Sequence, residues 1–514
     1  MTKKLILSSV ILAACAQVYA ERTTPNIIFI LVDDMGYGDV SALNRDSKIR
    51  TPHLDRMIAN GVSFSDAHTS SSVSTPTRYG VLTGRYNWRS RLKKGVLNGY
   101  SKALIPEDRT TMASLLKKKN YETGCVGKWH LGWNWNFKNN PTDLNSMDAY
   151  EGKGEIDYNQ PIKQGPTALG FDYFYGFSGS LDMAPYVYIE NDKVTALPDR
   201  ETVNTGMGFW RKGPTGSNFI HEETLPHLTD QAISFISKKA NKENPFFLYL
   251  PLPAPHTPIL PTGKWVGKSG LNAYGDFVMM VDNEVGRILN TLNELDIDEN
   301  TLVVFTSDNG CSPQAKFEEL HQKEHYPSYI YRGMKADLFE GGHRVPCVVQ
   351  WKGALQRGES SQTICLTDFF ATFADIVDLN LQDHEGEDSY SLLKALKNPK
   401  LEKPIRKATI HHSITGEFAI RKGDWKLLVS PSSGGWSEPR PNNKAALKSL
   451  PPMQLYNLKN DPAEKNNLYN NEPDKVKELH EILKKQILEG RSTPGAKQDN
   501  DKGDNWEQLN VIFN

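Results

Sequence analysis

The chain is expected to be an α/β protein: a large domain on a mostly parallel central sheet flanked by helices, then a smaller C-terminal α+β domain with an antiparallel sheet. Three observations carry that expectation. Strand-like runs at 26–32, 121–126, 245–250 and 301–306 alternate with stretches of helical periodicity, the pattern of buried strands with helices between them. Each run stops abruptly at a polar cluster, where ligand sites open in such sheets. Beyond residue 380 the runs shorten and turn signals separate them, as in a small antiparallel sheet. The expected boundaries are a leader over 1–20, a large domain over 21–380 and a C-terminal subdomain over 381–514.

The leader reads as an export signal. Lys3 and Lys4 precede the apolar run Leu5–Ala14, and Val18-Tyr19-Ala20 offers a small-residue cleavage site. That run is too short to span a bilayer, and no other segment is long and apolar enough. Leu12-Ala13-Ala14-Cys15 resembles a bacterial lipobox. The expected location is therefore exported and periplasmic, with a lipid anchor on Cys15 as the alternative.

Asn26–Val32 is the first buried strand and ends in Asp33-Asp34. Thr51 and Pro52 open a short helix through Asn60, by cap residue and N1 proline. The stretch Ser74-Thr75-Pro76-Thr77-Arg78 opens another, with Pro76 expected as the first helical residue and Ser74 just outside it. Such a helix start aims free N–H groups and a positive dipole end at its surroundings. Thr110–Lys119 is a helix closed by Asn120, and the strand at 121–126 delivers Gly127-Lys128-Trp129-His130. Residues 133–171 lack periodicity and are rich in Asn, Trp, Tyr and Gly, as in a functional rim. Pro245–Leu250 is a strand that leads to His256. The stripe Leu271, Tyr274, Val278, Val281, Val285, Ile288, Leu292, Leu295 is a packing helix without chemistry. Thr301–Thr306 ends in Ser307-Asp308-Asn309, and a helix runs from Phe370 through Val377. Short strands follow at 408–413, 417–421, 425–429 and 454–458, with a helix from Pro473 to Leu488 and a loose polar tail after Arg491.

Composition narrows the function. The 514 residues are 38% hydrophobic and 24% charged, values of a globular protein, with 60 basic against 61 acidic side chains. A net charge of −1 gives no field that would draw the whole molecule to nucleic acid. Four cysteines besides Cys15 are widely spaced and form no CxxC, so buried free thiols are expected rather than a disulfide framework or a zinc knuckle.

Asp33 and Asp34, and Asp308 and Asn309, are two acidic pairs directly after apolar strands. Carboxylate and amide oxygens without clustered His or Cys suit a hard cation, Ca²⁺ or Mg²⁺. Arg78, Lys128, His130, His256 and Lys335 recur at similar strand or loop ends, and Lys128 and His130, two apart in an extended segment, point to one side. Arg78 offers a fork of donors suited to a tetrahedral oxyanion.

Ser74-x-Pro76-x-Arg78 followed by Thr83-Gly84 resembles the signature of the formylglycine-dependent sulfatases, in its serine form. Gly127-Lys128-Trp129-His130-Leu131-Gly132 and the block from Lys335 to Pro346 match the same family in order and approximate spacing. The resemblance implies an alkaline-phosphatase-like large domain in which a serine-type maturase oxidises Ser74 to formylglycine (3-oxoalanine). It implies one Ca²⁺ held by Asp33, Asp34, Asp308, Asn309 and modified Ser74. One hydroxyl of the hydrated aldehyde would attack sulfur while Lys128 and Lys335 hold sulfate oxygens. His256 would donate a proton to the leaving alcohol, Arg78 and His130 would orient the hydrate, and His130 would help return it to the aldehyde. The chemistry is self-consistent, since ester cleavage needs a strong nucleophile, cations on the equatorial oxygens and an acid for a poor leaving group.

The expected substrate is a sulfated carbohydrate, with the 6-O-sulfate of galactose or N-acetylgalactosamine favoured by general similarity within the family. Trp133, Trp135, Tyr173, Tyr175 and Tyr186 are expected to form a sugar-stacking rim, with Asp172, Asp182, His221 and His412 as candidate substrate contacts. Two readings compete: a phosphodiesterase or phosphonate hydrolase of the alkaline phosphatase superfamily, and an inactive exported glycan-binding protein in which Ser74 stays unoxidised.

Overall fold

β1 (Asn26–Asp33) is buried along its whole length, as its unbroken run of branched and aromatic residues requires. From β1 the chain passes β2 (Val62–Phe64), β3 (Ala67–His68), β4 (Glu122–Lys128), β5 (Tyr173–Phe177), β6 (Ile189–Glu190) and β7 (Lys193–Val194). The hairpin β8 (Pro198–Asn204) and β9 (Trp210–Gly216) comes next, then β10 (Phe246–Pro255), β11 (Thr301–Ser307), β12 (Cys347–Gln350), β13 (Gly358–Ser360) and β14 (Ile364–Cys365). The computed structural model describes residues 24–141, 144, 154–503 and 505–513. The export signal expected over 1–20, with Cys15, lies outside the described residues.

The central sheet has ten strands in the order β13-β2-β12-β11-β1-β10-β4-β5-β6-β7. Its middle, β11-β1-β10-β4-β5, is parallel throughout. All five of those strands therefore end on one edge, and the register decides what meets there. Val32 lies opposite Ser307, which sets Asp33 and Asp308 side by side. A bulge lets β10 advance from Pro251 to Pro255 while β1 advances from Leu31 to Asp33, which carries His256 to the same edge.

Helices α1 (Pro52–Asn60), α2 (Ser74–Thr83), α3 (Met112–Lys117), α4 (Thr224–Lys239) and α5 (Ala273–Glu294) pack around the sheet. α5 is the expected packing helix, started by Asn272, whose side chain accepts from the N–H groups of Tyr274 and Gly275. Asp282, buried in α5, accepts from the N–H groups of His53 and Leu54 and so caps α1 from a neighbouring element. The four cysteines among the described residues are free and buried.

β15 (Thr409–His412), β16 (Phe418–Lys422), β17 (Trp425–Leu428) and β18 (Gln454–Asn457) form the small antiparallel sheet. Its core takes in Tyr86 and Trp88, from the segment after α2. The sheet also grips the segment before α2, where the carbonyl of His412 accepts from the Ser71 hydroxyl at 2.8 Å and the Ser72 N–H at 3.0 Å. Both ends of α2 are thus clamped by the C-terminal part of the chain.

Two expectations fail here. The tail after Arg491 is tied down rather than loose: Arg89 reaches Asn500, Arg85 reaches the Asp499 carbonyl, and Leu509 and Ile512 are buried in the second core. Apolar anchors spaced along a polar segment were enough to dock it. The aromatic rim is largely core. Trp133 and Trp135 pack edge to face at 5.4 Å, Trp133 meets Phe174 at 5.9 Å, and Trp133, Tyr175 and Tyr186 are buried. A cluster of large aromatic rings buries more area than any other composition, so irregular backbone there did not mean exposure.

Candidate active site

α2 begins two residues earlier than proline placement suggests. Ser74 is its first residue, Val73 is the cap, and Pro76 occupies the third position, where its missing N–H has no intrahelical partner in any case. Val73 cannot cap with its side chain, and the Ser74 hydroxyl does not cap either. It points at the sheet edge instead, 2.5 Å from Asp308 Oδ2 and 3.2 Å from Asp33 Oδ1, with Lys128 Nζ at 3.3 Å.

Around that hydroxyl the expected residues converge. Arg78, one turn along α2, donates to Asp308 Oδ2 at 2.8 Å and to the Lys128 carbonyl at 3.2 Å, and lies 3.3 Å from Asp33 Oδ2. Lys128, the last residue of β4, meets Asp33 Oδ2 at 2.5 Å. Lys335 meets Asp34 at 2.7 Å and His256 Nε2 lies 3.7 Å from the same carboxylate. Asn309 donates from Nδ2 to Asp34 Oδ1 at 2.7 Å. Three carboxylates therefore face three permanent cations in a buried space.

The electrostatics follow from that crowding. Burial pushes the Asp33 carboxyl up, but Lys128, His256, Arg78 and Lys335 outweigh it and hold it well below the usual range. Burial and the adjacent Asp33 push Asp308 up. Burial lowers Lys128 more than Asp33 restores it, whereas Asp34, Asp33 and Asp308 overcome burial at Lys335 and raise it. Burial, then Lys128 and Arg78, keep His130 neutral. Its Nε2 lies 2.7 Å from the Leu97 carbonyl and so carries the proton, which leaves Nδ1 as a buried, unpartnered acceptor. Asp34 and His130 both hold left-handed backbone, with φ of 65° and 55°, conformations that persist only where the surroundings enforce them.

The donor set fits a hard cation. Asn309 Oδ1 is buried with no hydrogen-bond partner, its Nδ2 lies 2.7 Å from Asp34, and Asp33, Asp34 and His256 offer ligand atoms within 4.8 Å of one another, with Asp308 adjoining in sequence. An orphaned amide oxygen next to three carboxylates is the chemistry of a Ca²⁺ or Mg²⁺ site.

Sequence reasoning named Asp182 on one wall of the site but missed Ser180 and Arg211 beside it. Ser180, just past β5, bonds Lys128 Nζ at 3.1 Å and approaches His256 Nδ1 at 3.4 Å. Asp182 follows, its Oδ2 gripped by Arg211 of β9 at 2.5 Å and its Oδ1 buried without a partner. The signal existed, since Ser178-Gly179-Ser180-Leu181-Asp182 is a polar cluster directly after a strand. It was obscured because β5 was taken for part of an aromatic rim.

The other expected substrate contacts lie elsewhere. Asp172 is at the opposite edge of the sheet, paired with Lys117 at 2.5 Å and accepting from the Thr123 N–H at the start of β4. The five residue steps from Thr123 to Lys128 separate it from the site by about 16 Å. His221 is stacked on Trp210 at 3.9 Å and lies edge-on to Tyr186; burial pulls it down to about 3. It braces the wall that carries Arg211. His412 is buried beside Asn87, at 3.1 Å, and supports the segment before Ser74 through its carbonyl.

A family model described as sulfatase matches residues 25–379. An N-acetylgalactosamine-6-O-sulfatase of Bacteroides thetaiotaomicron is 33% identical, covering 89% of this chain and 92% of its own length. Human arylsulfatase A is 28% identical over 94% of this chain and 90% of its own. A solved Bacteroides thetaiotaomicron structure, from a study of the metabolism of multiple glycosaminoglycans, superimposes with a TM-score of 0.77 at 31% identity, covering 90% of this chain and 99% of that one.

Proposed function

The chain belongs to the sulfatase family, a family of sulfuric ester hydrolases, and from that premise we propose that it removes O-sulfate groups from a sulfated glycan. The ester in question is the 6-O-sulfate of an N-acetylgalactosamine or galactose unit. The name of the Bacteroides thetaiotaomicron relative supports that choice of sugar. Residues 21–380 form the catalytic part in this reading, behind an export signal over 1–20.

The observation that carries the mechanism is the uncapped Ser74 hydroxyl, aimed from the start of α2 into the acidic and cationic cluster. In this reading a serine-type maturase oxidises Ser74 to formylglycine. The hydrated aldehyde supplies one hydroxyl to accept the sulfuryl group and a second whose deprotonation expels sulfate and restores the carbonyl. Asp33, Asp34, Asp308 and Asn309 would hold a Ca²⁺ ion, whose charge would offset that of the sulfate oxygens. Lys128 and Lys335 bind those oxygens, and Arg78 with the α2 N-terminus orients the hydrate. His256, on the open side beside Asp34, protonates the departing sugar oxygen. His130 Nδ1, neutral and unpartnered, takes the proton that allows the hydrate to collapse. Asp182 Oδ1 and Arg211 form the wall that meets sugar hydroxyls. A two-metal phosphodiesterase would need further metal ligands beside these acids, and Arg78, Lys128 and Lys335 stand there instead.

The test is the Ser74 peptide from protein co-expressed with a serine-type maturase. It should be lighter by one H₂, and the same preparation should release sulfate from an N-acetylgalactosamine 6-sulfate. Ser74→Ala should keep the fold and release none. Turnover by Ser74→Ala at the parental rate would exclude this nucleophile.

A further inference from the structure

Away from Ser74 a cavity of about 810 Å³ opens between the central and small sheets. It begins at Ser65 and Asp66, after β2, and is closed by residues of β16 and β17. β2 runs antiparallel to β12, which runs antiparallel to β11, so β2 ends on the same edge of the sheet as the acidic pairs. With neighbouring strands about 4.8 Å apart, the two places are roughly 10–15 Å apart along that edge.

The cavity is strongly basic in a chain whose net charge is −1. Seven lysine or arginine side chains line it against three carboxylates. The arginines are structural: Arg344 and Arg421 are tied to Asp66, and Arg406 to Asp368. The lysines differ. Lys407 and Lys459 are exposed, with no ion-pair partner among the described residues, and Lys422 and Lys475 share the single carboxylate of Glu478. Four lysines thus face the cavity with little to neutralise them, beside the half-exposed ring of Trp425. Mobile ammonium groups beside a flat aromatic face suit a sugar chain that carries anionic substituents: the rings present apolar C–H faces and the sulfates or carboxylates present charge. A fixed tetrahedral anion would call for a rigid guanidinium fork instead.

We propose that this cavity is a second, non-catalytic site that binds an anionic glycan chain and holds the polymer near the Ser74 site. It rests on the glycan reading above only for the identity of the polymer. Binding at two places on one chain raises the effective concentration of ester at the first, without any change in chemistry there.

The probe is a polymeric galactosaminoglycan 6-sulfate and its chemically desulfated form, titrated against Ser74→Ala protein so that binding is read without turnover. The variants are Lys407→Glu/Lys459→Glu and the milder Lys407→Gln/Lys459→Gln, each checked by thermal unfolding. Charge reversal should weaken binding of the sulfated polymer at low salt by about tenfold, neutralisation by less, and added salt should erase the difference. In protein with Ser74 intact and oxidised, the same reversal should raise KM for polymer while turnover of a monosaccharide 6-sulfate stays at the parental value. Equal polymer affinity in parent and variants overturns the site. So does a parallel loss on monosaccharide, and so does binding of anionic vesicles in preference to polymer. Polymer binding that depends on these lysines, in protein that hydrolyses no sugar sulfate, would uphold the cavity and sink the catalytic reading instead.

Discussion

In the proposed mechanism Ser74 and His256 do different jobs, and substrates of different leaving-group quality separate them. Ser74 faces the acids from a helix start, whereas His256 reaches Asp34 from the end of β10 and is half-buried at the open side. Only the histidine is needed to protonate a departing oxygen. His256→Ala should therefore lower kcat on a sugar sulfate by about 10²–10⁴-fold, but much less on a nitrophenyl sulfate, whose phenolate leaves without help. Equal losses on both esters would assign His256 to sulfate binding. Asp308 contacts both Ser74 and Arg78, and Asp308→Ala should weaken Ca²⁺ binding, read by calorimetry, together with turnover.

The strands place these side chains, and one of them tolerates no side chain where it does so. Gly127, next to Lys128 in β4, holds φ of 136°, and a Cβ there would meet the Pro251 carbonyl oxygen of β10 at 2.1 Å. Gly127→Ala should cost about 3 kcal/mol and, by prising β4 from β10, withdraw Lys128 from Asp33. Denaturant unfolding and kcat should fall together. The parallel strands were legible in advance because a strand buried on both faces is apolar throughout and because polar clusters fall at its end. That same rule located Asp33, Asp34, Lys128, His256, Asp308 and Asn309. It gave no warning about Asp172, since a carboxylate before a strand looks much like one after it when the strand's limits are uncertain. Nor could it identify Arg211, the partner of Asp182, which comes from a hairpin with no apolar run to mark it. The start of α2 was placed late because proline tolerance at the third helical position mimics its preference for the first.

At the scale of the molecule, the two sheets meet across a fully buried polar network. His343 and His411 stack at 4.0 Å, His68 lies 3.0 Å from His343, and Glu340, Asp66, Glu464, Lys426 and Arg421 surround them. Burial first, then neighbouring imidazoles and Lys426, hold His343 and His411 well below the ordinary histidine pKa. The unfolded chain therefore takes up these protons before the folded one does. Their contribution is complete above about pH 6.5 and drains away as pH falls below it. Tm should drop between pH 7 and pH 5, with a smaller drop in His411→Asn; a pH-independent Tm would mean that the folded network takes up these protons over the same range as the unfolded chain. The clamps on α2 have a consequence of their own. Ser74 retains only 2% of its exposure, beneath the segment that His412 holds, and no foreign enzyme can close its own catalytic pocket around a side chain so enclosed. If Ser74 is oxidised as the proposed mechanism requires, that oxidation has to precede closure, and a molecule that folds before it meets its maturase stays inert, however well it is built.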